Sequence, residues 1–176
     1  MQKDNIDYNT ISVIMITYGH EKFIKQAVEG VLMQKCNFNV ELIIANDASP
    51  DQTSDIVYDI IKTNPNANRI KYINRDKNIG GQNNFKDAFE QCKGKYIAHC
   101  EGDDYWTDPC KLQKQINFLE TNPDYVLTFH KIKILQPNGI LVDDFITKIP
   151  ENYQTIETLA QFGNYLHTPS IVYRNI

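Results

Sequence analysis

Apolar residues along this chain switch period in a regular way. Residues 11–16 (I-S-V-I-M-I) form a nearly continuous, β-branched apolar run, which predicts a central parallel strand. From Glu21 the period becomes helical, with Phe23, Ile24, Ala27, Val28, Val31 and Leu32 on one face. A second strand is predicted over 40–45 (V-E-L-I-I-A), then the turn Asn46-Asp47-Ala48-Ser49-Pro50-Asp51 and a helix facing inward through Ile56, Val57, Ile60 and Ile61. A third strand covers 70–73. The loop Asn78-Ile79-Gly80-Gly81 then leads into a helix carrying Phe85, Ala88 and Phe89, with Gly94 as its C-terminal glycine. A fourth strand covers 95–100. The helix after it presents Leu112, Ile116 and Leu119, with Thr107 or Asp108 as its cap and Pro109 in its first turn. The polar residues 1–10 are expected to fray.

Strands that alternate with helices imply a parallel sheet covered on both faces, so the fold class is α/β. Beyond Asn122-Pro123 the texture changes. A strand is expected over 125–130, and a hairpin over 131–142 with Pro137-Asn138-Gly139 at its tip. A short helix near 155–161 and a strand over 170–173 follow, giving a small antiparallel addition. With neither repeat nor linker, residues 1–176 read as one domain.

Composition narrows the function. A net charge of −4 provides no polybasic surface, which argues against nucleic-acid binding. No apolar run is long enough to span a bilayer, and the N-terminus lacks a signal-peptide core. Cys36, Cys92, Cys100 and Cys110 show no C-x-x-C spacing and read as reduced thiols of a cytoplasmic protein. His99 and His130 read as satisfied histidines in or beside strands rather than metal ligands.

The chemistry gathers where the strands end. In an open parallel sheet, ligands bind beyond the carboxyl ends of the strands. Those ends carry Thr17-Tyr18, Asn46-Asp47, Asn74-Arg75 and Glu101-Gly102-Asp103-Asp104-Tyr105-Trp106. Three carboxylates within four residues repel one another, and a hard divalent cation with oxygen ligands relieves that repulsion. Tyr18 can lie against a base, Asp47 can accept from a base N–H, and the cluster can hold a cation that neutralises phosphates. A metal-bound nucleoside diphosphate needs such a set.

Four motifs in order carry a resemblance. Residues 11–18 (I-S-V-I-M-I-T-Y) are similar to the opening strand of family 2 glycosyltransferases of the GT-A fold. Residues 41–49 (E-L-I-I-A-N-D-A-S) resemble that family's second strand and its D-D-G-S turn. Asn78-Ile79-Gly80, with Asn84, is similar to its N-x-G segment. Glu101 to Trp106, followed by Pro109 and Lys111-Leu112, resembles its D-x-D region, and 167–174 resembles the segment beneath the acceptor site. Asn46 and Glu101 stand where the motifs have Asp, and Gly19 where Asn is common.

The resemblance implies sugar transfer with inversion from a nucleotide donor, expected to be a UDP-sugar, to a glycan or lipid-linked acceptor. It places Thr17, Tyr18 and Asp47 at the nucleobase, with Glu21 near the base or at a helix start. Asp103 falls by the ribose or metal and Asp104 on the metal, with Glu101 as a further candidate ligand. The cofactor expected is Mn2+ or Mg2+. His167 is either a support near the diphosphate or a packing residue. The acceptor-activating carboxylate of that family follows the last matched segment, so the base is expected after Ile176. The chain then reads as the nucleotide-sugar half of an enzyme, truncated at its C-terminal end and inactive alone. Its expected location is cytoplasmic, with peripheral contact to the inner membrane face. The alternatives are a non-catalytic nucleotide-sugar binding module and a sugar nucleotidyltransferase. The latter usually carries a Gly-rich, basic phosphate loop after the first strand, which residues 17–21 lack.

Overall fold

The computed structural model describes residues 6–146, 151, 155–162 and 165–176. In chain order the first four strands are β1 (Asp7–Thr17), β2 (Asn39–Asn46), β3 (Ile70–Asn74) and β4 (Gly94–His99). Between and after them lie the helices α1 (Ile24–Leu32), α2 (Thr53–Thr63), α3 (Gly81–Glu90) and α4 (Lys111–Thr121). The later elements are β5 (Leu127–Thr128), the hairpin β6 (Lys133–Leu135) and β7 (Leu141–Asp143), α5 (Ile156–Phe162) and β8 (Val172–Arg174).

One six-stranded sheet runs in the order β3-β2-β1-β4-β8-β5. The first four strands are mutually parallel, while β8 runs antiparallel to both β4 and β5. Side chains alternate between faces along a strand, and the core divides accordingly. Ile11, Val13 and Met15 pack with residues of α1, α2 and α4; Ile14, Ile43 and Ile97 pack with Ala88 and the partly buried Phe85 and Phe89 of α3. Helices therefore cover both faces. No helix among the described residues is long and apolar enough to cross a membrane.

Several boundaries differ from the expectation. The polar start does not fray from residue 7 onward, because Asp7 N donates to Lys93 O at 2.7 Å and the Asp7 carboxylate accepts from Asn9 N and Thr10 Oγ1. The fraying expected of residues 1–5 lies outside the described residues. Helix α1 starts three residues later than its apolar period, leaving Phe23 46% exposed. Pro109 precedes α4 rather than opening it, and Asp108 holds the approach by accepting from Cys110 N at 2.9 Å. The strand expected over 125–130 shortens to two residues, and part of the last expected strand is a 3-10 turn, Thr168–Ser170.

Gly94 is the clearest correction. Helix α3 ends at Glu90 with Gln91 as its cap, and Gly94 is the first residue of β4. A Cβ there would meet Ser12 N at 2.6 Å and Thr10 O at 2.7 Å. Glycine is present because two backbones touch, a demand that is silent in hydrophobic periodicity.

Candidate functional site

Register brings the candidate residues together. Thr17 pairs with Asn46 and Asn46 with Asn74, so β1, β2 and β3 end in one row. Ile14 pairs with His99 at the end of β4, which delivers residues 101–104 to the same rim. The acidic turn is hung on β1 by Cys100 N to Ile14 O and Gly102 N to Ile16 O, both at 3.0 Å. A cavity of about 330 Å3 opens at this rim, lined by Ile16, Thr17, Tyr18, His20, Asp47, Asn78, Gly81, Asn84, Glu101 and Asp103. Five of the residues expected from sequence, Thr17, Tyr18, Asp47, Glu101 and Asp103, thus share one wall-to-wall space. Asp104 lies next to it, and Glu21 does not line it.

Each wall is fixed locally. Asp47 is buried, and its carboxylate accepts from Ile79 N at 2.8 Å and Gly80 N at 2.9 Å. It thereby holds the loop that enters α3, a role the sequence did not suggest. Asn46 is fully buried, and its Nδ2, with two N–H to donate, lies within reach of three acceptors, Ser54 Oγ, Tyr72 OH and Asn74 Oδ1. An aspartate there would have no N–H to donate, which accounts for Asn at this position. Ala48 adopts φ 59°, the left-handed region that favours glycine. Tyr18 stands half exposed at the mouth.

The segment after β1 is stitched to the approach to α2 and to its first residue. Gly19 N donates to Ser49 Oγ, His20 N to Thr53 Oγ1 and Glu21 N to Asp51 Oδ2, each at 3.0 Å. Glu21 returns the bond by accepting from Gln52 N at 3.1 Å. One oxygen of its carboxylate thus serves this clamp. Arg75, the cation expected on the rim, instead turns into α3, with Nε donating to Asn84 Oδ1 and an Nη pairing with Asp87 at 2.9 Å.

The acidic turn is electrostatically loaded. Burial, then the charges of Asp104 and Asp103, pushes the Glu101 carboxyl up, with a hydrogen bond from Thr168 opposing. Burial and the Asp103 charge push Asp104 up to about 6, with the His167 and His20 imidazoles opposing. His167 Nε2 lies 2.9 Å from Asp144 Oδ2. Trp106 seats the far end of the turn: its Nε1 donates to Pro169 O at 2.8 Å, and Lys111 Nζ lies 4.0 Å over its ring. The other histidines behave as expected. His99 is stacked between Phe85 and Tyr173, and His130 Nδ1 meets Lys131 O.

Would these residues suit a divalent cation? Glu101, Asp103 and Asp104 offer hard oxygen donors, and among the described residues the cavity lining holds neither Lys nor Arg to neutralise them. No three acidic, imidazole or thiolate groups among the described residues converge closely enough to cage an ion unaided. That suits an ion held by one or two carboxylates whose shell is completed by phosphate oxygens and water, the usual manner of Mg2+.

His20 is the lining residue that sequence reasoning missed. It follows the apolar run by only four positions, but a single histidine in a turn carries no periodic signal. Only register places it beside Asp103, Nε2 to Oδ2 at 3.8 Å.

Comparison with known proteins fits this geometry. An uncharacterized protein of Mycobacterium tuberculosis is 37% identical over 164 residues, covering 93% of this chain and 46% of that protein. The UDP-Glc:alpha-D-GlcNAc-diphosphoundecaprenol beta-1,3-glucosyltransferase WfaP of Escherichia coli is 35% identical over 111 residues, covering 63% of this chain and 41% of that enzyme. The chain spans about half the length of the curated relatives it matches. The crystal structure of S. aureus TarS 1–349 in complex with UDP shares the fold, with a TM-score of 0.66, 24% identity, and coverage of 94% of this chain and 46% of that one. The family model described as Glycosyl transferase family 2 matches residues 12–170, and the chain belongs to that family of glycosyltransferases, on a GT-A fold.

Proposed function

We propose that residues 1–176 form the donor side of an inverting glycosyltransferase that takes a UDP-sugar. The observation that carries this reading is the convergence of Thr17, Tyr18, Asp47, Glu101 and Asp103 on one cavity at the carboxyl ends of the parallel strands. In this reading Tyr18 lies against the base and Asp47 accepts from its N3–H, since a carboxylate has lone pairs beyond the two used for Ile79 and Gly80. Asp104, with Asp103 helping, would hold Mn2+ or Mg2+ and so orient the diphosphate, with Glu101 as a further candidate ligand rather than part of a three-carboxylate cage. The bound cation supplies Lewis-acid stabilisation of the diphosphate as it leaves.

In the transfer, an acceptor hydroxyl oxygen bonds to the anomeric carbon as the bond from that carbon to the diphosphate breaks. The hydroxyl proton passes to a base that is none of the cavity's carboxylates. Glu21 acts at a distance by holding the loop that carries Tyr18. The acceptor is a glycan or lipid-linked sugar at the cytoplasmic membrane face. The lipid-linked substrate in WfaP's name and the UDP bound to TarS support the donor and acceptor classes.

The nucleotidyltransferase reading requires free backbone N–H groups after the first strand to cradle phosphates. Those of Gly19, His20 and Glu21 are instead occupied by Ser49, Thr53 and Asp51. A non-catalytic binding module would share the same cavity, and acceptor-dependent turnover by the whole protein separates the two. The direct test is calorimetry against UDP, GDP and dTDP with Mn2+ or with EDTA. UDP is expected to bind tightest and to weaken markedly in EDTA, and Asp104→Ala is expected to reproduce that loss with the fold intact. Equal UDP affinity with and without metal would refute the metal assignment.

A further inference from the structure

His20 is held from every side except one. Its N–H donates to the buried Thr53 Oγ1 at 3.0 Å, and its carbonyl accepts from Phe23 N and Ile24 N, both at 2.9 Å, at the start of α1. Its ring is fixed too: Nδ1 lies 3.1 Å from Thr17 Oγ1. The acidic turn packs directly on this pair, and a Cβ on Gly102 would come within 2.5 Å of Thr17 Oγ1 and 2.7 Å of His20 Nδ1. What remains is Nε2, at the cavity, facing Asp103 Oδ2 across 3.8 Å. That separation is too long for a hydrogen bond. An ionised carboxylate only accepts, so it favours the ring form with hydrogen on Nε2, leaving Nδ1 to accept from the Thr17 hydroxyl.

The lining presents Asp47, Glu101 and Asp103 to an incoming ligand, and Arg75 is engaged with Asn84 and Asp87. Among the described residues, the lining side chains with an N–H to donate are His20, Asn78 and Asn84, and of these His20 is the one set beside Asp103 of the acidic turn. An anionic ligand entering this acidic space needs donors that cost nothing to aim, and a ring already locked in place is one. We infer that His20 is a donor-binding residue whose Nε2–H donates to a phosphate oxygen of the nucleoside diphosphate, beside the acidic turn. This rests on the donor reading under Proposed function and adds a contact that the carboxylates cannot make.

The test uses the full 176-residue chain with Mn2+, measuring UDP by calorimetry and uridine by ligand-observed NMR. His20→Asn retains an amide near the Nδ1 position, within reach of Thr17, but places no donor where Nε2 stood; His20→Gln restores an N–H there. A hydrogen bond to a charged group is worth about tenfold to 150-fold in affinity. UDP affinity is therefore expected to fall by about that factor in His20→Asn and to recover in part in His20→Gln. Uridine affinity should stay within about twofold and the melting temperature should hold. Native-like UDP affinity in His20→Asn would overturn the assignment. So would an equal loss for uridine and UDP, which would place the effect on the nucleoside or the fold. Failure of the native chain to bind UDP, GDP or dTDP would overturn the donor reading, and this contact with it.

Discussion

Asp47 serves two masters in this fold, and its replacement separates them. Its carboxylate accepts from Ile79 N at 2.8 Å and Gly80 N at 2.9 Å, tying the end of β2 to the loop that opens α3. Hydrogen bonds to an ionised acceptor contribute about 1.5–3 kcal/mol each, so two would give about 3–6 kcal/mol if nothing replaced them. Gly80 is exposed, so water takes over part of the loss. A net cost of about 2–3 kcal/mol in local opening is the outcome expected for Asp47→Ala. Amide hydrogen exchange reads that directly, as roughly 30- to 150-fold faster exchange at Ile79 and Gly80. Protection in β1 should be unchanged. Asp47→Asn should fall between, because its amide oxygen can satisfy one N–H while its NH2 opposes the other. UDP binding should weaken in both variants. Unchanged exchange at Ile79 and Gly80 in Asp47→Ala would refute the anchoring role, whatever happened to UDP.

Gly102→Ala should lower UDP affinity at least about tenfold and cost about 1–3 kcal/mol of stability, since its Cβ would strike Thr17 and His20; calorimetry and denaturant melts measure the two. Ala48→Gly should raise stability by about 1 kcal/mol by relieving a left-handed alanine, read as a shift in urea midpoint. Burial holds His99 down to about 4, against an ordinary value of 6.5, so as pH falls the unfolded chain takes up its proton first. Stability should decline from about pH 6.5 to about pH 4, by about 3 kcal/mol at most, and His99→Gln should flatten that limb in urea melts across pH. With Mn2+ and its tightest-binding nucleotide sugar, the 176-residue chain should release diphosphate slowly and independently of acceptor. Acceptor-dependent turnover near about 1 s⁻¹ or faster would show that a carboxylate within it serves as the base.

The parallel core was legible because buried strands and amphipathic helices impose different periods, and residues 11–16 and 40–45 obey one while Ala27, Val28 and Val31 obey the other. Both faces of the sheet followed from alternation alone. Features that depend on contact between distant segments were not legible. Gly94 reads like a helix stop until Ser12, 82 positions away, is seen against it. Arg75 has the right chemistry for a ligand, yet Asn84 and Asp87 absorb it, and Glu21 has a second tie, to Gln52, that its sequence neighbours do not reveal. His20 was overlooked for the converse reason: a lone imidazole announces nothing until register sets it beside Asp103. Asp47 was recognised as polar and well placed, but its grip on Ile79 and Gly80 lies across 32 residues of chain.

The two walls of the cavity are anchored differently, and that has a kinetic consequence. Four cross-links join residues 19–21 to 49–53, so the wall bearing Tyr18 and His20 is ordered before any ligand arrives. The His20 ring, tied to Thr17 through Nδ1, has already lost the freedom that association would otherwise take from it. Residues 78–81 are tied to α3, through Asn83 Nδ2 to Ile79 O and Asn84 N to Gly80 O, and reach the sheet through the Asp47 carboxylate. Encounter with a ligand should then be fast on the cross-linked side. Whatever slow adjustment follows should be concentrated in residues 78–81, where relaxation-dispersion measurements on the Ile79 and Gly80 amides would find it.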